Sequence, residues 1–165
     1  MHEIDAALDE FLDYIKVEKG LSLNTIEAYQ RDLHAYFRFV SGAYPGYRLR
    51  ETGKHDSRRI VLAYLVKLHQ AKLSSKSIAR QLVSIRVFYH FLMQQKVIQD
   101  NPARDIDTPK TWRTLPQTLT TEEVNQLLAQ PNLRTAQGVR DRALLELLYA
   151  SGLRISELIH LKVSD

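Results

Sequence analysis

Two cations four residues apart, Lys76 and Arg80, are the first side chains in this sequence whose type and spacing suggest chemistry. At about 100° per residue they share one side of a helical segment with Ser84, with Val83 and Val87 nearby, while Ile78, Leu82, Ile85 and Tyr89 take the other side. Like charges at i, i+4 repel. Such a face is tolerated for solubility, or it is neutralised by a polyanion. The valines beside it are out of place in water but not against bases or a neighbouring helix. Ser75 and Ser77 add short donors at the start of the segment, where free amides and the helix dipole favour phosphate. An earlier stretch holds Asn24, Thr25, Tyr29 and Arg31, side chains of the kind that contact phosphate. From the residues alone a structural account of that stretch is simpler: Asn24 caps a helix, Tyr29 packs, and Arg31 pairs with Asp32 or Glu27.

Other chemistries lack their residues. His2, His34, His55, His69, His90 and His160 have no His or carboxylate partner at a metal-site spacing. There is no phosphate-binding glycine loop, dinucleotide fingerprint or nucleophile elbow. The absence of cysteine removes disulfides, a thiolate nucleophile and Cys-based zinc sites. No metal or other cofactor is expected. No apolar run approaches the roughly 18 residues of a membrane span, and the acidic start, Met1 to Asp5, lacks the plan of a signal peptide. A cytoplasmic location fits best.

The elements that must position these residues read as helices throughout. Ile4, Leu8, Phe11, Leu12 and Ile15 form one apolar stripe, ended by Gly20. Asn24 and Glu27 have the spacing of a capping box opening a second helix, with Ile26, Tyr29, Leu33, Tyr36, Phe37 and Val40 on its inner face. Ile60, Val61, Tyr64, Leu65 and Leu68 give a third. Ser74 or Ser75 caps the fourth, whose inner face adds Leu92. Residues 42–55 read as a loop. Pro102, Pro109 and Pro116 mark an extended linker that contains Trp112. Thr120 and Glu123 form a capping box after it, an apolar helix covers about Val139 to Ala150, Gly152 ends that helix, and another starts near Arg154. The expected organisation is an all-α chain: a four-helix domain over 1–100, a linker over 101–118 and a second unit over 119–165.

Charge is unevenly placed along these elements. Residues 1–41 carry 4 Lys/Arg and 8 Asp/Glu, a net of −4, and residues 42–98 carry 11 and 2, a net of +9. Residues 99–165 carry 8 and 9, a net of −1. A concentrated basic segment is the footprint of a polyanion binder, although a solvated basic surface gives the same pattern.

Four stretches together carry a resemblance. Leu21 to Leu33, reading Leu-Ser-Leu-Asn-Thr-Ile-Glu-Ala-Tyr-Gln-Arg-Asp-Leu, resembles the first-domain signature of tyrosine recombinases. Ser77 to Ala103, with Asp100-Asn101-Pro102, resembles the last long helix of that domain. Thr108-Pro109-Lys110 and Leu115-Pro116 look like the family linker. Arg140 to Leu158, with Gly152-Leu153-Arg154-Ile155-Ser156-Glu157-Leu158, is similar to the first catalytic box of the phage integrase superfamily, closest to its Xer branch.

The resemblance implies a four-helix SAM-like core-binding domain that clamps duplex DNA from one side, with a catalytic domain on the other. It implies strand cleavage by a tyrosine hydroxyl through a 3′-phosphotyrosyl link, without metal or nucleotide. Arg154 matches the first of two arginines that bind the scissile phosphate, where a guanidinium neutralises charge in the transition state, and Glu157 supports it. The DNA-contacting residues expected are Asn24, Thr25, Tyr29, Arg31, Lys76, Ser77, Arg80 and Arg86. Implied partners are duplex DNA, further recombinase subunits acting as four on two sites, and a DNA translocase. The family's lysine, His-x-x-Arg box and nucleophile come later than Arg154 and have no match here, since all eight tyrosines, the last being Tyr149, precede it. These residues alone are therefore expected to be inactive, as a truncation or fragment. Open alternatives are a non-catalytic DNA- or recombinase-binding module, a phage or integron integrase relative, and a helical protein–protein adaptor.

Overall fold

The computed structural model describes residues 2–51, 56–108 and 118–162, and every regular element in them is helical. The chain divides into two compact units near residue 112, and each stands by itself below.

In the first unit, α1 (His2–Val17), α2 (Leu23–Ala43), α3 (Asp56–Gln70) and α4 (Ser75–Gln94) follow one another, with a 3-10 turn at Leu49–Glu51. The apolar stripes read from the sequence face inward. Ile4, Leu8, Phe11 and Ile15 meet Leu33, Tyr36, Phe37 and Val40, then Ile60, Val61, Tyr64 and Leu68 from α3. Leu12, Ile26, Tyr29 and Leu65 lie at the margin, partly buried. Helix α4 packs against all three others. It therefore buries more than one stripe: Phe88 and Phe91 are inside along with Ile78, Leu82, Ile85, Tyr89 and Leu92. Each such burial contributes about 1.5–3 kcal/mol.

Helix ends follow local rules. Gly20 takes a left-handed φ of +58° after α1, a conformation that carries little cost only for glycine. Lys72 and Lys96 adopt φ 57° after α3 and α4, held there by Leu73 N–H to Leu68 O at 3.2 Å and Val97 N–H to Leu92 O at 2.9 Å. Helix α2 begins earlier than its expected cap. Ser22, not Asn24, is the N-cap residue, and its hydroxyl meets that of Thr25 at 2.9 Å. Ser74 caps α4, accepting the Ser77 N–H at 3.2 Å.

Polar groups in this core are paired. The Tyr89 hydroxyl bonds those of Tyr36 (2.9 Å) and Tyr47 (2.7 Å), and Tyr64 donates to Gln81 at 2.7 Å. Residues 101–106, expected to begin the linker, are fastened to α4. The Arg86 guanidinium donates to the carbonyls of Ala103 (3.1 Å) and Ile106 (2.7 Å), and the Asn101 amide donates to the Arg86 carbonyl at 3.0 Å. Asn101, Ala103 and Ile106 are buried as a result. Pro109, Trp112 and Pro116, on which the rest of that expectation rests, lie outside the described residues.

The second unit holds α5 (Thr121–Ala129), α6 (Ala136–Ser151) and the short α7 (Ile155–Leu158). The Thr120–Glu123 capping box forms as its spacing predicts: Glu123 N–H donates to Thr120 Oγ1 at 3.2 Å, and Thr120 N–H to Glu123 Oε2 at 2.8 Å. Thr135 caps α6, and Gly152 ends it at φ +67°. Gly138 has a different reason to be glycine, since a Cβ there would stand 2.0 Å from the Asn132 carbonyl oxygen. Arg142 ties α6 to α5 by donating to the Leu128 carbonyl.

A candidate nucleic-acid interface on the first unit

The first two turns of α2 and the second and third turns of α4 line a cleft of about 300 Å3, formed by Asn24, Thr25, Ala28, Tyr29, Arg80, Val83 and Ser84. Four of the expected contact residues therefore meet in one place: Asn24, Thr25, Tyr29 and Arg80. The sequence explains this convergence. In both helices polar residues alternate with the apolar stripe at the helical period, so Asn24 and Thr25 on α2 and Arg80 on α4 stay at the surface while Ile78 and Leu33 enter the core.

Beneath the cleft lies Asp32, only 4% exposed. Its Oδ2 accepts from Arg80 at 2.5 Å and from the Ser84 hydroxyl at 2.7 Å. The Arg80 side chain is 51% exposed, so one edge of its guanidinium is anchored while the rest faces solvent. Ser84, expected on the outer face, is buried because it serves this carboxylate. Val83 stays 40% exposed beside Arg80. Tyr29 packs edge-on against Phe11 at 5.8 Å, and partial burial followed by the nearby Asp32 charge pushes its hydroxyl pKa up.

The remaining expected residues separate. Arg31 is exposed and does not pair with Asp32, whose carboxylate is taken by α4; it stands two turns from Asn24 on the same face of α2. Lys76 is exposed one turn before Arg80, without an ion-pair partner among the described residues. Ser77 is occupied with Ser74, by its amide and at 3.0 Å by its hydroxyl, so the amide expected to meet a phosphate is already capped. Arg86 does not join this face. Six residues beyond Arg80, it stands about 120° away from it round the helix, and its Nε and Nη2 are engaged by the 101–106 backbone.

In the second unit Arg154 is the residue before α7, highly exposed, and bonded to Glu157 twice: guanidinium to Oε1 at 2.9 Å and backbone N–H to Oε2 at 2.8 Å. These two bonds, the backbone one first, hold the Glu157 carboxyl below the usual carboxylate range, so the bracket stays charged at neutral pH.

Two residues of the cleft escaped the sequence reading: Asp32 as an anchor and Ser84 as its partner. A signal for Asp32 existed. It sits at i+3 from Tyr29 and i−4 from Tyr36, within the buried stripe, where an acid needs a partner.

Comparison with known proteins places this geometry in a family. Residues 8–96 match the profile described as phage integrase, N-terminal SAM-like domain, and residues 117–165 match the phage integrase family. A tyrosine recombinase XerD of Shewanella oneidensis is 44% identical over 164 residues, which are 99% of this chain and 53% of that protein. A tyrosine recombinase XerD of Staphylococcus saprophyticus is 42% identical over 98% of this chain and 53% of its own. A tyrosine recombinase XerC of Herpetosiphon aurantiacus is 39% identical over 96% and 50%. The chain spans about half the length of the curated relatives it matches. It belongs to the phage integrase family.

Proposed function

We propose that this chain is a DNA-clamping part of a Xer-type site-specific recombinase, and that the α2–α4 face of its first unit binds duplex DNA. The observation that carries the proposal is the meeting of Asn24, Thr25, Tyr29 and Arg80 in one cleft. The cations of Lys76 and Arg31, without an ion-pair partner among the described residues, stand on the same faces of the two helices. Phosphates would be held by Lys76 and Arg31, since neutralising them releases counterions from the duplex. Arg154, steadied by Glu157, binds the scissile phosphate in the whole recombinase, whose tyrosine forms the 3′-phosphotyrosyl intermediate. The chemistry calls for no metal or nucleotide, because the covalent link conserves the phosphodiester energy. The partners in this proposal are duplex DNA, three further subunits on two paired sites, and a DNA translocase. The setting is cytoplasmic resolution of chromosome or plasmid dimers.

A titration of the isotope-labelled chain with a 30-base-pair duplex tests the DNA face directly. Amide shifts should move at residues 24–31 and 75–84 and stay still along the acidic α1. Movement confined to α1 or α3 would refute the assignment.

A further inference from the structure

We infer that Arg80 is a base-reading, specificity-determining residue and Asp32 its positioning residue, while Lys76 supplies phosphate affinity. This rests on the DNA-binding proposal above and divides its contacts by chemistry.

A phosphate ligand works through net positive charge. Arg80 carries little, because the Asp32 carboxylate lies 2.5 Å from its guanidinium. Seen from outside, the pair is close to neutral, and a phosphate approaching Arg80 would also approach the negative end of that pair. A base edge makes the opposite demand. Guanine offers two neutral acceptors, O6 and N7, at a fixed spacing, which an oriented guanidinium fork matches bidentately. Anchoring one edge on a buried carboxylate removes rotamer freedom before DNA arrives, so less is lost on contact. The Ser84 hydroxyl, at 2.7 Å from the same Asp32 oxygen, fixes the carboxylate in turn.

The neighbours in the cleft point the same way. Val83 is exposed beside Arg80, and an aliphatic side chain suits a thymine methyl group, not a phosphate. The Asn24 amide lines the same cleft and has the donor and acceptor that adenine's major-groove edge requires. Lys76, one turn before Arg80 and lacking a carboxylate, has the opposite character.

The test is selection of the full chain on a duplex library randomised over 30 base pairs, followed by binding at several salt concentrations on the enriched and on scrambled duplexes. The unsubstituted chain should enrich a guanine at one position. Arg80→Lys should lose preference there by about tenfold, with binding to scrambled duplex retained. Asp32→Asn should lose the same preference yet bind scrambled duplex at least as tightly, because it unmasks the Arg80 charge; a merely structural aspartate would not give that opposed pair of changes. Lys76→Gln should keep the enriched sequence and lower affinity on both duplexes alike. Equal losses on both duplexes for Arg80→Lys, with the sequence preference intact, would make Arg80 a phosphate ligand and overturn the inference. Salt-dependent binding with no enrichment by the unsubstituted chain would overturn it while leaving the DNA-binding proposal standing. No binding to any duplex would overturn both.

Discussion

The two units obey the same local rules and reach different ends. Both start helices on Ser or Thr at the N-cap position, Ser22 and Ser74 in one, Thr120 and Thr135 in the other, and both stop a helix on a left-handed glycine. In the first unit the apolar faces close on one another, and a continuous core runs from Ile4 to Ile106. In the second, Leu128 and Leu158 are the buried large apolar side chains among the described residues, while Leu119, Leu133, Val139, Leu147, Tyr149 and Ile155 are exposed. Caps and glycines decide that a helix forms. They do not decide that it is covered. The apolar residues of α6 are spread round its circumference, and a helix of that kind needs cover on more than one side.

The largest effect that could break this contrast is a core truncation made once in each unit. Phe88→Ala removes a ring that is fully buried and stacked edge-on with Phe11 and Phe37, and should cost about 3–5 kcal/mol in denaturant unfolding. Leu147→Ala, at a position 43% exposed, should stay within about 0.5 kcal/mol. Comparable destabilisation at both sites would mean that the second unit has a core of its own. Amide exchange sharpens the same point: α2 and α4 should exchange far more slowly than α5 to α7.

A smaller effect belongs to the cleft. Lys76→Ala should leave the thermal midpoint nearly unchanged, as exposed substitutions do. Arg80→Ala should not, because it strips the buried Asp32 of its cation and leaves only Ser84; a loss of about 1–3 kcal/mol follows. Equal midpoints for the two variants would show that the Asp32 pair contributes nothing to the fold.

The smallest effect is one of pH. Burial pushes the Tyr47 and Tyr64 hydroxyls up to about 12 from 10.0, and raises those of Tyr36 and Tyr89 well above their ordinary value. A raised pKa means the folded state keeps a proton that the unfolded chain releases. The stabilisation is complete below about pH 10 and is lost as pH climbs toward 12 and beyond. The melting midpoint should therefore hold steady to about pH 10 and then fall. Tyr89→Phe, which removes the hydroxyl joining Tyr36 and Tyr47, should change the steepness of that fall. A midpoint flat to pH 12 would contradict the buried hydroxyl chain.

Much of the first unit is legible in the sequence because its helices alternate between core and water at the helical period, and each stripe from Ile4 to Leu92 can be read directly. Three features are not. The cap falls on Ser22 and not on Asn24, since both positions satisfy the same composition rule and only the entry of the chain decides between them. Arg86 reads as one more cation on a basic helix; its role depends on where residues 101–106 return, which has no periodic trace. Asp32 reads as a local partner of Arg31 because sequence reasoning pairs neighbours, whereas its partner lies 48 residues away on α4. The site is thus visible as residue types, and its wiring only in three dimensions.

The central claim is that the α2–α4 face holds DNA through phosphates at Lys76 and Arg31. The most direct test is fluorescence anisotropy of a labelled duplex across a salt series, for the unsubstituted chain and for Lys76→Gln with Arg31→Gln. Log affinity should fall linearly with log salt, and the double variant should bind more weakly, with a slope shallower by about 0.9 for each phosphate it no longer neutralises. An unchanged slope in the double variant, or affinity indifferent to salt in the unsubstituted chain, would contradict the claim.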